Sequence, residues 1–256
     1  MKQAEIPFGD PLNLIGLIPA KGGLKKHKRT WHFCPVRFFC YWKATLTTES
    51  WKSEFEAVTK LNLGQAVFDK LSCATVAVAG LGGLGSRVAP ALARCGIGKL
   101  IIADFDIVEP SNLNRQDYFA DQIGLAKVEA MKQNLARINP GLIIEAHNIR
   151  LIPESIVSLF ACADIVAECF DKPDQKQMIV ETVLVKMTPK PIVSASGLAG
   201  FGRSNDITTR RLSPRHILVG DLVSASGPGV GLFAPRVGIA ALHQANAIIE
   251  LLINGN

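Results

Sequence analysis

The chain has 256 residues, of which 48% are hydrophobic and 20% are charged, and its formal net charge is +6. This length suits one α/β domain with a sizeable core and is too short for two such domains. No stretch approaches the ~20 continuous apolar residues of a membrane span, and the six cysteines form no CxxC pair. The composition therefore argues against a membrane protein and a zinc site, and it favours a cytoplasmic protein with reduced thiols.

The positive charge is concentrated at the amino terminus. Residues 1–52 contain nine Lys or Arg and three acidic residues, so the rest of the chain is neutral. We therefore predict a basic, poorly ordered N-terminal extension over residues 1–52 and one folded domain over residues 53–256. Because the folded part carries no basic excess, a nucleic-acid partner is not expected.

The first predicted elements lead into a glycine-rich turn. Apolar residues at helical spacing predict one or two helices over residues 54–70. A strand, a turn with the sequence GLGGLGS, a helix and a second strand are then predicted over residues 75–106. Asp104 ends the second strand and follows Gly85 by 19 residues. This is the order of elements in a dinucleotide-binding fingerprint.

The fingerprint predicts an adenine-nucleotide site. Gly80, Gly82 and Gly85 form GxGxxG, and with Gly83 they are the positions where backbone can approach a phosphate at a helix N-terminus. Asp104 is placed to accept hydrogen bonds from a ribose diol. The pattern does not choose between a dehydrogenase and a transferase, and glycines that only form a tight turn are the structural alternative.

Strands and helices continue to alternate as far as residue 195, and glycine-rich segments follow. The fold class is therefore α/β: a Rossmann-like, doubly wound sheet, mainly parallel with an antiparallel extension, and with helices on both faces. Cys95, Cys162 and Cys169 lie in apolar runs and are expected in the core. The remaining elements are predicted as helices at 127–139, 156–160, 176–186 and 234–253, strands at 142–148, 164–169, 191–194 and 207–212, and glycine-rich segments at 196–205 and 226–231.

Several separated motifs together resemble one family. They are GLGGLGS, DFDIVEPSNLNRQ at 104–116, GLAKVEAM at 124–131, ARINP at 136–140 and ECFDKPDQK at 168–176. In this order they resemble the ThiF/MoeB/HesA adenylyltransferases, which are related to the ubiquitin-activating enzymes. The segments SGLAGFGRSN, SGPGVG, PRVGIAA and HQAN are most similar to the short ThiF-like proteins of thiamine synthesis.

The resemblance implies an activity and a set of site residues. The family joins the C-terminal glycine carboxylate of a small ubiquitin-like carrier to the α-phosphate of ATP, which here implies a ThiS-like sulfur carrier. By motif position, Arg115 would hold the outer phosphates, Lys127 would lie by the α-phosphate and Asp171 would bind Mg²⁺. Asp104 would bind the ribose, with Asp106 either sharing that role or capping the loop, and Asn112 would support the phosphate loop or the nucleophile.

Three family features are missing from the sequence. Many members hold a structural zinc with two CxxC pairs and use a later cysteine in sulfur transfer, but this chain has no CxxC and no cysteine after Cys169. The resemblance therefore implies ATP and Mg²⁺ without zinc, and it leaves sulfur handling by a protein cysteine in doubt. An arginine that reaches into a neighbouring subunit is also missing from residues 61–72, so a homodimer is only an expectation.

Three alternatives to carrier adenylation stay open. The first is the related ATP-dependent dehydration of threonylcarbamoyladenosine in tRNA, which the basic extension favours and the neutral domain disfavours. The second is a nicotinamide-dependent oxidoreductase, which would use the glycines and Asp104 but leave Arg115, Lys127 and Asp171 without a role. The third is a non-catalytic module that binds nucleotide and carrier.

Overall fold

Short apolar runs become the buried strands of one seven-stranded sheet. The computed structural model describes residues 48–255. The strand order is β3-β2-β1-β4-β5-β7-β6, and all neighbours are parallel except β6 and β7. The strands are β1 (Thr75–Ala79), β2 (Lys99–Asp104), β3 (Ile143–Asn148), β4 (Ile165–Glu168), β5 (Ile192–Ala195), β6 (Thr208–Ser213) and β7 (His216–Gly220).

Helices cover both faces of the sheet, as expected for a doubly wound fold. Apolar residues of α3, α4 and α7 form the core on one face, and those of α5 and α6 form it on the other. The helices are α1 (Thr48–Leu63), α2 (Gln65–Cys73), α3 (Gly85–Arg94), α4 (Lys127–Ile138), α5 (Pro153–Leu159), α6 (Pro173–Lys186) and α7 (Ala234–Asn254). Short 3₁₀ turns lie at Pro110–Asn112, Ala120–Gln122 and Ser204–Asp206. The predicted fold class is confirmed.

The end of the sheet differs from the prediction. One strand is predicted after residue 206, whereas the chain forms the hairpin β6–β7, in which β7 pairs parallel with β5. The antiparallel extension is thus the single edge strand β6. β7 was missed because its apolar run is only three residues long, from Ile217 to Val219, between His216 and Gly220.

The predicted extension lies mostly outside the described residues. The described chain starts with α1 at Thr48, so a helix runs across the predicted boundary between residues 52 and 53. Residues 1–47 are outside the described part, and the division into an extension and a domain stays a prediction.

The prediction of a core position is wrong for one of the three cysteines. Cys169 is buried and Cys95 is half-buried, and burial raises the pKa of both thiols. Cys162, by contrast, is exposed. It lies in the turn between α5 and β4, beyond the buried Phe160, so its apolar neighbours in sequence do not carry it into the core.

Among the described helices, only α7 is long and apolar enough to cross a membrane by length and composition. Half of its most apolar window is buried within the fold. Its residues Ala240, Ala241 and Ile248 belong to the core beneath the sheet. Its apolar character is therefore used in packing the domain.

Candidate active site

The turn after β1 contains two glycines at positions where the backbone leaves no room for a side chain. Gly80 has φ +89°, and a Cβ there would lie 3.0 Å from the carbonyl oxygen of Cys169. A Cβ on Gly85 would lie 1.9 Å from the carbonyl oxygen of Gly80. These contacts bring the start of α3 against the ends of β1 and β4.

The other two glycines leave backbone donors accessible. The nearest atom to a Cβ built on Gly82 is 4.0 Å away, and both Gly82 and Gly83 are partly exposed. Among the described residues, no acceptor is hydrogen-bonded to the N–H groups of Gly82, Gly83 and Leu84. α3 has no side-chain cap at its N-terminus. Free N–H groups at the positive end of a helix form an anion site, so residues 80–85 are called the phosphate loop below.

This difference between the glycines gives a testable contrast. We expect Gly85→Ala to destabilise the protein by about 3 kcal/mol or more, because its methyl group collides with backbone. We expect Gly82→Ala to change stability by less than about 1 kcal/mol and to weaken ATP binding about tenfold, because the methyl group stands where a phosphate would approach. Thermal melts and ATP titrations of both variants check this, and equal melting temperatures would contradict it.

Asp104 ends β2 beside the phosphate loop. Its Oδ2 accepts a hydrogen bond from the Leu81 N–H at 2.6 Å, and its Oδ1 accepts one from the Asp106 N–H at 2.8 Å. Burial raises the pKa of this carboxyl group, and the two backbone donors partly offset that rise. The carboxylate is held in one orientation, and each oxygen retains a lone pair that can accept from a ribose hydroxyl.

Lys127 and Asp106 form an ion pair at the start of α4. The Lys127 Nζ lies 2.9 Å from the Asp106 Oδ2, and the side chains are 5% and 49% exposed. The Lys127 N–H also donates to the Asp106 carbonyl oxygen at 2.9 Å. Asp106 thus holds a buried ammonium group near the end of β2, a contact that the sequence did not predict.

Asn112 and Arg115 lie in the loop that follows. The buried Asn112 accepts from the Glu109 N–H at 3.0 Å through its Oδ1, so its side chain braces the 3₁₀ turn. The Arg115 Nη1 donates to the Ser111 carbonyl oxygen at 3.1 Å and to the Asn114 Oδ1 at 2.9 Å. Arg115 is half-buried, and the turn sets the direction of its guanidinium.

Arg115 lines a cavity of about 630 Å³. Ser226, Gly227 and residues 230–234 also line this cavity, and they overlap the SGPGVG segment. The segment 196–206 is tied to it, since the Gly200 N–H donates to the Gly231 carbonyl oxygen at 2.9 Å. The two glycine-rich segments, residues 196–206 and 221–231, are called the glycine wall below.

Asp171 is exposed in the loop after β4, which is braced from beneath. The fully buried Glu168 pairs with Lys176, whose Nζ lies 3.0 Å from the Oε1. The Phe170 N–H donates to the same oxygen at 2.7 Å, and Lys176 also donates to the Ala195 carbonyl oxygen at 2.8 Å. The loop that carries Asp171 is therefore fixed to the ends of β4 and β5.

Two further features of the site were not predicted. Gln116 is buried, and its Oε1 has no hydrogen-bond partner among the described residues. Its Nε2 is the atom nearest to a Cβ built on Gly82, so a buried acceptor without a partner lies in the residue next to the phosphate loop. Asp221 and Arg236 form a buried ion pair at the glycine wall, at 2.5 Å. The only sequence signal for Gln116 is that it follows Arg115 in SNLNRQ, and for Arg236 that it lies in PRVGIAA.

The Asp221–Arg236 ion pair should make part of the free energy of unfolding depend on pH. Burial tends to raise the pKa of Asp221, but hydrogen bonds from the N–H groups of Ser224 and Val223 and from Arg236 outweigh it and lower the pKa to about 2. Ionised Asp221 should thus contribute about 2 kcal/mol to stability, present above pH ~4 and lost as the pH falls toward 2. We expect the free energy of unfolding of Asp221→Asn to approach that of the wild type between those pH values. Denaturant melts at each pH check this, and a constant difference would contradict it.

Known proteins share this sequence pattern and fold. A family model described as the ThiF family matches residues 58–255. Adenylyltransferase and sulfurtransferase UBA4 of Candida glabrata is 40% identical over 190 residues, which cover 72% of this chain and 43% of that protein. Molybdopterin-synthase adenylyltransferase of Salmonella typhimurium is 33% identical over 189 residues, which cover 72% of this chain and 75% of that protein.

Among solved structures, the E. coli tRNA N6-threonylcarbamoyladenosine dehydratase TcdA in complex with AMP superposes with a TM-score of 0.71 at 20% identity. The match covers 82% of this chain and 98% of that chain, and at this identity it shows a shared fold. The chain spans less than half the length of the UBA4 protein, whereas the family model covers most of the chain. This protein belongs to the ThiF family.

Proposed function

We propose that this protein is an ATP-dependent adenylyltransferase that activates the C-terminal glycine carboxylate of a small ThiS-like sulfur carrier in thiamine thiazole synthesis. One observation supports it above the others: Asp104 and Asp106 connect the phosphate loop to the buried Lys127, and Arg115, whose Cγ lies 4.0 Å from a Cβ built on Gly83, lines a cavity of about 630 Å³. The family relatives named as adenylyltransferases support the reaction class.

The reaction requires two anions to meet. An oxygen of the carrier carboxylate attacks the α-phosphorus of ATP, and a new P–O bond forms. The bond from that phosphorus to the bridging oxygen breaks, and pyrophosphate leaves with the electron pair. Because the carboxylate is ionised near neutral pH, no general base is needed, and the site must supply orientation and positive charge.

The residues of the site divide this work. The phosphate loop binds phosphate oxygens through N–H groups, and Asp104 accepts from the ribose diol. Lys127 stabilises the negative charge that builds on the α-phosphate, and Arg115 binds the outer phosphates. Asn112 positions Arg115 through the turn that it braces, and Asp106 orients the Lys127 ammonium.

Mg²⁺ fits this arrangement as a partner of the nucleotide. Among the described residues, no group of three His, Cys, Asp or Glu forms a metal site. Mg²⁺ is commonly held by one or two carboxylates and the substrate phosphates, and the exposed Asp171 offers one carboxylate on a braced loop. Bound there, the ion would neutralise charge on the leaving pyrophosphate.

The cavity suits a flexible peptide end. Gly227 and Gly231 offer bare backbone there, Val230, Leu232 and Phe233 offer apolar contact for an extended peptide, and Arg115 adds a positive charge. We include in this proposal a cytoplasmic location, on the strength of the cysteine pattern, and a homodimer, on the strength of the family resemblance.

The alternative is ATP-dependent dehydration of threonylcarbamoyladenosine in tRNA. The fold shared with TcdA and the basic residues 1–52 favour it. The balanced charge of residues 53–256 disfavours it, because RNA binding usually relies on a basic surface.

ATP–pyrophosphate exchange separates the two activities. The assay contains Mg²⁺ and either a ThiS-type carrier ending in Gly-Gly, the same carrier without its last glycine, unmodified tRNA or tRNA carrying threonylcarbamoyladenosine. We expect exchange only with the intact carrier. Exchange only with the modified tRNA would support the alternative, and no exchange with any substrate would overturn adenylation.

A further inference from the structure

The guanidinium group of Arg236, in the first turn of α7, binds both segments of the glycine wall. The Arg236 Nη2 donates to the Asp221 Oδ2 at 2.5 Å. Its Nη1 donates to the carbonyl oxygens of Gly202 at 2.7 Å and Arg203 at 2.9 Å. Within residues 48–255, this is the only ion pair in which both side chains are more than nine-tenths buried. Arg236 therefore holds both segments of the wall to the first turn of the helix.

The Asp221 carboxylate completes the link between the two segments. Its Oδ1 accepts from the Val223 N–H at 3.0 Å and from the Ser224 N–H at 2.9 Å. The Ser224 Oγ in turn accepts from the Ala199 N–H at 3.1 Å. A Cβ on Gly197 would lie 2.1 Å from the same carboxylate oxygen, so the first segment passes directly against Asp221.

Backbone strain is concentrated at this pair. Leu222 has φ 65° and Arg203 has φ 48°, and among the described residues they are the only ones other than glycine with positive φ. Such conformations persist where surrounding contacts fix them. Leu222 follows Asp221 directly, and the Arg203 carbonyl oxygen accepts from Arg236. The ion pair thus supplies the contacts that fix both strained residues.

The same helix turn also contacts the phosphate loop. Val237, next to Arg236, places its Cγ1 3.0 Å from a Cβ built on Gly83. The wall residues Ser226, Gly227, Val230 and Gly231 line the cavity together with Arg115, and residues 232–234 connect the wall to this turn. A shift of α7 at Arg236 would therefore change the width of the cavity between the wall and Arg115.

We propose that Asp221 and Arg236 are positioning residues that set the glycine wall at a fixed distance from Arg115 and the phosphate loop, so that the peptide end of the acceptor substrate enters in line with the α-phosphate. This inference rests on the proposed function. The pair bonds only to the wall and to itself in the contacts above, so we expect it to act on the acceptor through the position of the wall.

Kinetics of Asp221→Asn and Arg236→Lys test this role. Lysine keeps the charge, but its single nitrogen cannot reach Asp221 and both carbonyl oxygens at once. We expect Asp221→Asn to raise the KM for a ThiS-type carrier about tenfold or more, since small misplacements of a reacting group are costly. Arg236→Lys should have a smaller effect, and the Kd of a non-hydrolysable ATP analogue should change less than threefold in both. Equal losses of ATP-analogue and carrier binding would overturn the inference.

An ion pair outside the wall provides the matched control. Lys99, at the start of β2, and Glu145, on β3, form a partly exposed pair, with the Lys99 Nζ 2.7 Å from the Glu145 Oε2. Glu145→Gln removes one negative charge, as Asp221→Asn does, and should leave the carrier KM unchanged. A carrier KM raised equally in this control would overturn the proposed role of the buried pair.

Hydrogen exchange provides a readout that does not depend on activity. We expect faster amide exchange in residues 196–206 and 221–231 of Asp221→Asn, with residues 80–85 unchanged, and unchanged exchange in the wall would overturn the inference. If the variants fail to fold, the amide exchange rates of Val223 and Ser224 in the wild type are measured. Protection of these two amides supports the proposed role of the pair. Exchange as fast as that of loop amides without hydrogen bonds rejects it. If the wild type shows no carrier-dependent exchange of pyrophosphate, the proposed function fails, while amide exchange still tests whether the pair fixes the wall.

Discussion

Replacing Lys127 by methionine is expected to reduce carrier-dependent ATP–pyrophosphate exchange about 100-fold or more, the usual effect of removing one group that stabilises transition-state charge. Methionine keeps the length and apolar stem of a side chain that is 5% exposed, so the core at the start of α4 stays filled. Asp106 loses its partner but is 49% exposed, so water can solvate its carboxylate. The protein should therefore remain folded while the reaction is lost.

The matched control for this change is Lys132→Met. Lys132 lies on the same helix and is exposed, so its charge is solvated and far less effective. Exchange rates and thermal melts of both variants are measured side by side with the wild type. If Lys127→Met keeps more than about a tenth of wild-type exchange, Lys127 does not have the role that its motif position implies.

The local sequence pattern was sufficient to predict the backbone of the phosphate loop. The signals were a short apolar run, the glycines Gly80 and Gly85, and Asp104. The arrangement of these residues is set by contacts between close neighbours in sequence or between adjacent strands. The structure brings them together as predicted, with β1 and β2 in register from Thr75 to Ala79 and from Lys99 to Ala103. The roles of Arg115, Lys127 and Asp171 came from motif position and stay predictions.

The sequence pattern could not predict contacts between side chains that are far apart in the chain. Asp106 was predicted as a ribose ligand or a loop cap, but its pairing with Lys127 joins residues 21 positions apart. Asp221 and Arg236 are separated by 15 positions, and nothing in a glycine-rich segment indicates that its one carboxylate will be buried. Gln116 likewise reads as a polar loop residue, and only the packed loop shows that its Oε1 is buried.

Each positive group of the site has a partner inside the chain. Lys127 pairs with Asp106, Lys176 with Glu168, and Arg115 donates to its own loop. In the proposed function, such partners would hold the cations in place before a triphosphate binds, which would reduce the cost of reorganisation on binding. Asp171 differs from the other acids of the site, because it is exposed and no ion pair of the described residues includes it. A carboxylate in this setting is suited to a bound cation.

Replacing Asp171 by asparagine is expected to reduce exchange about 100-fold, because the substitution removes the carboxylate that would share Mg²⁺ with the phosphates. Affinity for an ATP analogue measured in EDTA should stay within threefold of the wild type, while the Mg²⁺ concentration needed for half-maximal exchange should rise. Asp174→Asn is the matched control, since Asp174 is an exposed acid three positions further along, in the first turn of α6.

The dependence on Mg²⁺ separates this role from a structural one. The loop of Asp171 is braced by Glu168 and Lys176, which the substitution does not touch, so the melting temperature should not change. A variant with low exchange and an unaltered Mg²⁺ response would show that Asp171 acts on the substrate without the metal. A variant with wild-type exchange would remove Asp171 from the site, and the search for the metal ligand would then turn to Asp104 and Asp106 at the end of β2.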